Sequence, residues 1–286
     1  MPKVSIVTDS TAYLPEELLE QYDITVIPLV ILWGEKTLRD GIDIQPAAFY
    51  QQLSNAKIMP TTSQITMTTM QTVFRRTLER GDDVLGIFLS SKFSGTYESA
   101  LQARADLPRA AQDKIALVDS LSTTMAMGWT VLTAARAAQA GKSLSECQKI
   151  TVAARDNSGV LFVVETLEFL RRGGRIGGAQ ALLGTALNIK PVLEMRDGAI
   201  ESVEKIRTKG KAIERMLELS TERIGTRTPI RLAITHANAE PEALSLLSTA
   251  IEKFRPVETL CVPLSPVIGT HAGPGTVAFN YMAGIS

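Results

Sequence analysis

The chain has 286 residues, of which 45% are hydrophobic and 21% charged, a composition typical of a folded globular protein. This length exceeds what one ordinary hydrophobic core organises and suits two α/β domains. Basic and acidic residues both number 30, so the formal net charge is zero and gives no support for nucleic-acid binding.

Short apolar runs alternate with amphipathic stretches through the first half of the chain, which is typical of βαβ units. We predict strands at 3–8, 24–32, 84–89 and 115–118, and helices at 15–22, 46–53, 66–80, 96–106 and 124–140. This order predicts a mostly parallel sheet with flanking helices.

The pattern changes near residue 157, where we place a domain boundary. We predict strands at 160–164, 190–195, 199–204, 230–235 and 259–263, helices at 166–172, 210–223 and 241–254, and a glycine-rich break at 173–178. Asp197 and Gly198 mark a hairpin turn between two of these strands. The sequence therefore predicts an N-terminal α/β domain at 1–157 and a C-terminal mixed α/β domain at 158–286.

The cellular location follows from the cysteines and from the apolar stretches. Cys147 and Cys261 are the only cysteines, so neither a disulfide framework nor a multi-cysteine metal site can form, and a reducing cytoplasm is expected. No secretory signal is evident, and the longest apolar stretch, 24–33, is about half a membrane span. We therefore expect a cytoplasmic protein without an integral membrane segment.

Hydroxyl-rich segments follow the predicted strands or precede the predicted helices of the first half. They lie at 8–11, 60–64, 90–96 and 119–124. Because the ends of parallel strands meet at one edge, and each segment precedes a helix, the four segments predict a site for an anionic oxygen. The alternative is that each serine, threonine or aspartate simply caps its helix.

His271 lies in a run of small residues at 268–276, where backbone can approach a ligand and the ring can donate to an oxygen. The alternative is an incidental histidine in a glycine-proline turn. The other histidine, His236, ends a strand and is interpreted as structural.

A compact basic element consists of Arg171, Arg172 and Arg175. It is interpreted either as the C-terminus of a helix or as a docking patch.

The sequence lacks the motifs that are typical of several enzyme classes. No P-loop, no Gly-x-Gly-x-x-Gly after the first strand and no Gly-x-Ser-x-Gly elbow occurs, and two isolated histidines cannot supply a usual zinc site. We therefore predict neither a cofactor nor a metal.

Six motifs in order resemble the DegV family nearly from end to end. They are VTDSTA at 7–12, PTTSQ at 60–64, SSKFSGTY at 90–97, ETLEFLRRGGRI at 165–176, NIKP at 188–191 and GTHAGPG at 269–275. The resemblance implies two α/β domains with a long-chain fatty acid such as palmitate between them. It also implies a non-enzymatic carrier that presents the acid to a separate bacterial fatty acid kinase for acyl-phosphate formation.

Carried over by motif, the resemblance implies that Thr62 and Ser94 contact the carboxyl group, and that backbone at Gly95, with Thr270 and His271, completes the head of the pocket. The kinase-facing candidates are Arg171, Arg172 and Arg207. The family usually has leucine at the position of Phe93 and often proline at that of Ile65. These departures bear on chain-length preference.

Two other functions remain open at the level of sequence. A hydrolase or acyltransferase would use Ser94 as nucleophile, His271 as base and Asp9 as orienting acid. A lipid-sensing regulator would need a DNA-binding helix pair, and the sequence shows none.

Overall fold

A computed structural model describes residues 3–183 and 189–285 of the chain. Asn188, which belongs to one of the family motifs, lies outside the described residues. The described helices are α1 (Glu16–Gln21), α2 (Pro46–Leu53), α3 (Met67–Glu79), α4 (Thr96–Ala105), α5 (Arg109–Gln112), α6 (Thr124–Gln139), α7 (Leu144–Asp156), α8 (Glu168–Arg172), α9 (Lys209–Ile224), α10 (Glu240–Phe254) and α11 (Pro266–Ala272). None of them is both long enough and apolar enough to cross a membrane.

The first sheet is parallel throughout, as the alternation of strands and helices predicts. Its strands are β1 (Val4–Asp9), β2 (Thr25–Ile27), β6 (Asp83–Phe88) and β7 (Ile115–Asp119), in the order β2-β1-β6-β7. Asp9 ties two strand ends together, because its Oδ2 accepts a hydrogen bond of 2.7 Å from the backbone N–H of Leu89. The predicted polar edge of the sheet is therefore present.

The predicted single strand at 24–32 is in fact two strands. Pro28 and Leu29 separate β2 from β3 (Val30–Trp33), which leaves the parallel sheet and pairs with β4 (Lys36–Arg39) and β5 (Thr61–Ser63). This small antiparallel sheet carries Thr62 on β5. An unbroken apolar run does not show where a chain changes sheets, so one strand was predicted at 24–32 where there are two.

The second sheet is mixed, as predicted for the second half. Its strands are β8 (Ser158–Val163), β9 (Lys190–Arg196), β10 (Ala199–Ile206), β11 (Ile230–His236), β12 (Glu258–Pro263) and β13 (Val277–Ala283), in the order β10-β9-β8-β13-β11-β12. Asp197 and Gly198 both have positive φ and form the predicted turn between β9 and β10. The sequence analysis missed β13, which is fully buried between β8 and β11.

Helices α6 and α7 join the two sheets. Helix α6 contacts β1 of the first sheet and β8, β11 and β13 of the second, and it is buried on nearly all sides. Helix α7 was also missed, although Ser143 and Glu146 form a capping box at its start. These joined sheets leave a cavity between them. The boundary at residue 157 stays a prediction.

Candidate functional site

A cavity of 360 Å³ is lined by residues from both halves of the chain. Its walls are mostly apolar and include Leu29, Leu89, Val160, Phe162, Leu170 and Ile200. Thr62, Ser94, Gly95, Arg175 and His271 also line this cavity and form a polar cluster, which we call the polar end. A cavity of this size, with apolar walls and a few polar groups, suits an amphiphilic small molecule.

A hydrogen bond of 2.8 Å joins Thr62 Oγ1 to His271 Nε2 at the polar end. Thr62 is held by β5, and His271 lies in the last turn of α11. Ser265 begins this helix because its Oγ accepts a 3.2 Å hydrogen bond from the N–H of Ile268, and Pro266 occupies the first turn. His271 therefore lies on a helix that ends at Ala272, and not in the glycine-proline turn that the alternative interpretation placed it in.

The His271 ring is neutral at physiological pH. Burial, together with the nearby charge of Arg175, lowers the pKa of His271 to about 4. Its Nδ1 is buried and has no hydrogen-bond partner among the described residues. This nitrogen faces Gly173, where a methyl group would overlap it. The ring is thus fixed between Thr62 and a glycine.

Ser94 and Gly95 lie at the start of α4. The Ser94 hydroxyl is 2.9 Å from Thr96 Oγ1 and accepts a 3.3 Å hydrogen bond from the Thr96 N–H. Gly95 packs so closely against Gln64 that a Cβ at position 95 would displace the Gln64 amide. The missing side chain makes room for the Gln64 amide, and both Gly95 and Gln64 line the cavity.

Arg175 supplies a positive charge at the polar end. Its Nε donates a 3.0 Å hydrogen bond to the carbonyl of Phe93, and its Nη1 donates to the carbonyl of Gly173. Arg175 has no carboxylate partner in the part of the chain that the structure describes. A half-buried guanidinium with free donors is suited to binding a carboxylate.

The sequence is similar to known proteins along nearly its whole length. It matches the family described as "Uncharacterised protein, DegV family" over residues 3–284. The chain belongs to the DegV family. Protein DegV of Bacillus subtilis is 36% identical over 281 residues, which cover 96% of this chain and 97% of the relative. A DegV domain-containing protein of Streptomyces coelicolor is 38% identical over 276 residues, which cover 95% of each chain.

Solved structures of similar proteins share the fold across nearly the whole chain. A DegV family protein from Thermus thermophilus, described by its fatty acid binding, has a TM-score of 0.92 and 35% identity and covers 98% of this chain and 99% of its own. DegV of Bacillus subtilis, described as a fatty acid binding protein, has a TM-score of 0.89 and 34% identity and covers 99% and 100%. A stearic acid-binding protein from Eubacterium ventriosum has a TM-score of 0.91 and 26% identity and covers 100% and 99%. All three structural neighbours are described as binding a fatty acid.

Thr270 differs from the other DegV-motif residues in its surroundings. It does not line the larger cavity, and its hydroxyl donates a 2.9 Å hydrogen bond to the carbonyl of Pro266. It lines a smaller cavity of 200 Å³, which shares Thr62, Arg175 and His271 with the larger one. The polar end therefore separates two cavities.

The predicted kinase-facing arginines are all exposed. Arg171 and Arg172 both pair with Glu168, and Arg172 also lines the smaller cavity. Arg207 lies between β10 and α9 and forms no ion pair within residues 3–183 and 189–285. Arg172 is thus beside the polar end.

The hydrolase alternative requires contacts that this DegV fold does not make. The Ser94 hydroxyl pairs with Thr96, and His271 Nε2 pairs with Thr62. Asp9 Oδ1 accepts from the N–H and hydroxyl of Thr11, and its other oxygen accepts from Leu89. Ser94, His271 and Asp9 therefore do not form a catalytic triad.

Sequence reasoning did not assign Arg175 to the ligand site. Its motif placed it among the surface arginines, yet it is half-buried and reaches the backbone of Phe93, 82 residues away. The glycines at 173 and 174 let the chain turn there, since Gly174 has positive φ. The inward direction of the Arg175 side chain depends on the conformation of this turn and is not visible in the sequence.

Proposed function

We propose that this protein is a cytoplasmic, non-enzymatic carrier that binds a long-chain fatty acid and presents its carboxyl group to a separate fatty acid kinase. The observation that carries the proposal is the cavity itself, which combines apolar walls with a polar end that includes Arg175. Its volume and lining suit an acyl chain with one anionic head. The fatty acids bound by the DegV structural neighbours support the same ligand class.

The acyl tail supplies most of the binding free energy in this scheme. A sixteen-carbon acid such as palmitate has about fourteen methylenes, and burial of each contributes roughly 0.8 kcal/mol. The total, on the order of 11 kcal/mol, is reduced by several kcal/mol of association and ordering costs. Each charged hydrogen bond at the head contributes about 1.5 to 3 kcal/mol. The tail therefore sets affinity, and the polar end sets orientation.

The carboxylate is proposed to meet Thr62, Ser94, the backbone at Gly95 and Arg175. Neutral His271 holds one ring proton. When this proton is on Nε2, the ring donates to Thr62 Oγ1, and the Thr62 hydroxyl hydrogen is left free to donate to the carboxylate. Thr270 borders the same end from the smaller cavity.

Presentation to a kinase requires that the carboxylate be reachable by a phosphoryl donor. The smaller cavity is proposed as this route, because it meets the larger one at Thr62, Arg175 and His271 and carries Arg172 on its wall. Arg171, Arg172 and Arg207 are proposed to guide docking of the kinase. The kinase itself would supply ATP and magnesium.

Mass spectrometry of lipids extracted from the purified protein tests the ligand, and titration with palmitic acid tests the affinity. We expect a co-purified fatty acid in about equimolar amount. If no lipid is recovered and the delipidated protein binds no palmitic acid, the protein is not a fatty acid carrier.

A second experiment tests presentation of the carboxyl group. It compares the rate of acyl-phosphate formation by a bacterial fatty acid kinase with wild type and with His271→Ala. Equal rates for these two proteins would show that His271 takes no part in presenting the carboxyl group.

A further inference from the structure

The Asp40 side chain lies behind one wall of the 360 Å³ cavity. Asp40 is 2% exposed and lines a third cavity, of 500 Å³, which shares no lining residue with the first. Pro28 and Pro263 line this third cavity, whereas the next residues in the chain, Leu29 and Leu264, line the 360 Å³ cavity. Asp40 therefore lies on the far side of a wall that these two chain segments form.

The first segment of this wall is held by Asp40 through hydrogen bonds. Asp40 Oδ2 accepts a 2.8 Å hydrogen bond from the Ser10 hydroxyl, and Ser10 Oγ accepts a 3.1 Å hydrogen bond from the Leu29 N–H. The N–H of Asp40 donates a 3.0 Å hydrogen bond to the carbonyl of Leu29. Both backbone groups of Leu29 are therefore held by Asp40, one of them through Ser10.

The same carboxyl group also faces the start of α11. Burial raises the pKa of Asp40, whereas the nearby Ser10 and Ser265 hydroxyls and the Val267 N–H lower it. Asp40 Oδ1 has no hydrogen bond of ordinary length to any residue that the structure describes. The contact with α11 is therefore electrostatic rather than a short hydrogen bond, and a carboxylate interacts more strongly than a neutral acid with the N-terminus of a helix.

Helix α11 carries ligand groups of the polar end on a short, well-packed rod. It is about 10 Å long, and His271 lies in its last turn. The Tyr50 hydroxyl of α2 donates a 3.1 Å hydrogen bond to the carbonyl of Leu264, and Gly269 packs so closely on Tyr50 that a Cβ would overlap the ring. Because so short a helix moves as one unit, a force on its first turn is transmitted to His271.

We propose that Asp40 positions α11, and with it His271, for binding of the fatty acid carboxylate. This inference rests on the fatty-acid-binding function proposed above. Asp40 does not line the 360 Å³ cavity, so it acts through the helix and not by contact with the ligand. It is a positioning residue whose effect depends on its own charge.

The charge of Asp40 should change near neutral pH, because burial raises its pKa to about 7. The titratable groups around this carboxyl are Asp9 at the end of β1, Tyr13, Tyr50 and, on the wall of the third cavity, the exposed Glu16. Burial raises the pKa of Asp9 to about 6, and burial and the Asp40 charge raise the pKa of both tyrosines, which stay neutral. Among the described residues no lysine or arginine pairs with Asp40. Ionised Asp40 is thus an unpaired buried negative charge, which should disturb α11 and disfavour an anionic ligand.

The first test follows the His271 ring by NMR in ligand-free wild type and in Asp40→Asn, from about pH 5.5 to about pH 8.5. The ring itself stays neutral in this range, because its pKa is about 4. We expect an inflection of its chemical shifts near pH 7 in wild type and none in Asp40→Asn. The His271 signal is the one that disappears in His271→Asn.

The second test measures palmitic acid affinity by calorimetry at about pH 6 and about pH 8. Relative to Asp40→Asn, the affinity of wild type should fall by about threefold or more between these values, because only wild type ionises at position 40. At the lower pH, Asp40→Asn should bind within about twofold of wild type, since its amide oxygen still accepts from Ser10, whereas Asp40→Ala should bind about fivefold more weakly. Thermal unfolding checks that each variant is folded, and the asparagine comparison stands even if Asp40→Ala does not fold.

Asp43→Asn is the matched control from the same loop. Hydrogen bonds from Arg39 lower the pKa of Asp43 to about 2, so wild type and this variant should share one pH profile in both tests. If the His271 shifts or the affinity ratios of Asp40→Asn follow those of wild type, Asp40 does not act on α11 and the inference alone is overturned. If wild type binds no palmitic acid at either pH, the carrier function is overturned and the inference with it.

Discussion

Thr62 and His271 lie 209 residues apart in sequence, and a 2.8 Å hydrogen bond joins them at the polar end of the cavity. Thr62 comes from the small antiparallel sheet, whereas His271 comes from the helix between β12 and β13. The bond therefore holds together two elements that the sequence places at opposite ends of the chain. The tautomer of the neutral His271 ring decides which of the two groups donates.

His271 should stay neutral throughout the physiological pH range. Burial and Arg175 lower its pKa to about 4, so protonation requires a more acidic solution than for a free imidazole. An NMR titration of ring carbon and nitrogen shifts measures this directly. Because the chain has two histidines, His271→Asn leaves only the His236 signal and assigns both. A His271 midpoint near the ordinary value of about 6.5 would contradict the buried, neutral ring.

Arg175→Gln should weaken palmitic acid binding at neutral pH by about tenfold or more. The reason is the loss of a charge-assisted hydrogen bond to the carboxylate, which contributes about 1.5 to 3 kcal/mol. The same substitution should raise the pKa of His271, because the Arg175 charge helps to lower it. Calorimetry measures the first effect and the histidine NMR titration the second.

Arg172→Gln is the control for the arginine prediction. Arg172 is also close to the polar end, but its guanidinium is exposed and paired with Glu168. We expect a change in fatty acid affinity below about twofold, as for most surface ion pairs. Equal losses in the two variants would mean that general positive charge, rather than Arg175 itself, attracts the ligand.

Ser94→Ala should lower fatty acid affinity only modestly, by less than about tenfold, because the tail dominates binding. The rate of acyl-phosphate formation with a fatty acid kinase should fall more than the affinity, since Ser94 helps to orient the carboxylate. Ser91→Ala, an exposed serine of the same loop, is the control and should change neither quantity. If a Ser94→Ala protein stays folded and releases its ligand completely, the polar end and not the acyl tail supplies most of the binding free energy.

Much of the fold follows from patterns that are local in the sequence. The parallel sheet was predicted from alternating apolar and amphipathic runs, and the β9–β10 turn from Asp197 and Gly198. Strand β13 was missed because its segment follows a glycine-proline stretch, and its burial depends on pairing with β8 and β11. The sequence of a strand that lies between two others does not show which strands it pairs with.

The candidate site shows the same division. Thr62, Ser94, Gly95 and His271 were named from motifs, and all four line the cavity. Asn280 Oδ1 accepts a 3.2 Å hydrogen bond from the Ala126 N–H in the first turn of α6, 154 residues earlier in the chain, and no local pattern contains this relationship. Motifs identified the polar groups, and the fold determined which of them are already paired.

The buried carboxyl of Asp40 should make stability depend on pH. Asp40 is 2% exposed, and burial raises its pKa to about 7, although the Ser10 hydroxyl donates to it at 2.8 Å. Its folded-state pKa thus exceeds the unfolded value, so its contribution to stability is present at low pH and is lost as pH rises through about 7. Asp40→Asn removes this ionisation. The variant's free energy of unfolding should therefore fall less than that of wild type from about pH 5 to about pH 8.

Urea unfolding at several pH values measures the Asp40 effect. Asp43→Asn is the control, because Arg39 holds the pKa of Asp43 at about 2 and it does not titrate in this interval. Its pH profile should run parallel to that of wild type. A profile for Asp40→Asn that also runs parallel would show that the Asp40 carboxyl ionises in its usual range.

Gly173→Ala should weaken fatty acid binding although position 173 carries no side chain. The added methyl group would overlap His271 Nδ1, so the ring must move, and its hydrogen bond to Thr62 would lengthen or break. We expect about a fivefold or greater loss of affinity, the effect of one disturbed hydrogen bond. Gly210→Ala in α9 is the control, since it has open space around it and alanine favours helix there. This variant should bind normally and be slightly more stable than wild type. If Gly173→Ala binds palmitic acid as tightly as wild type does, the fixed position of the His271 ring does not matter for binding.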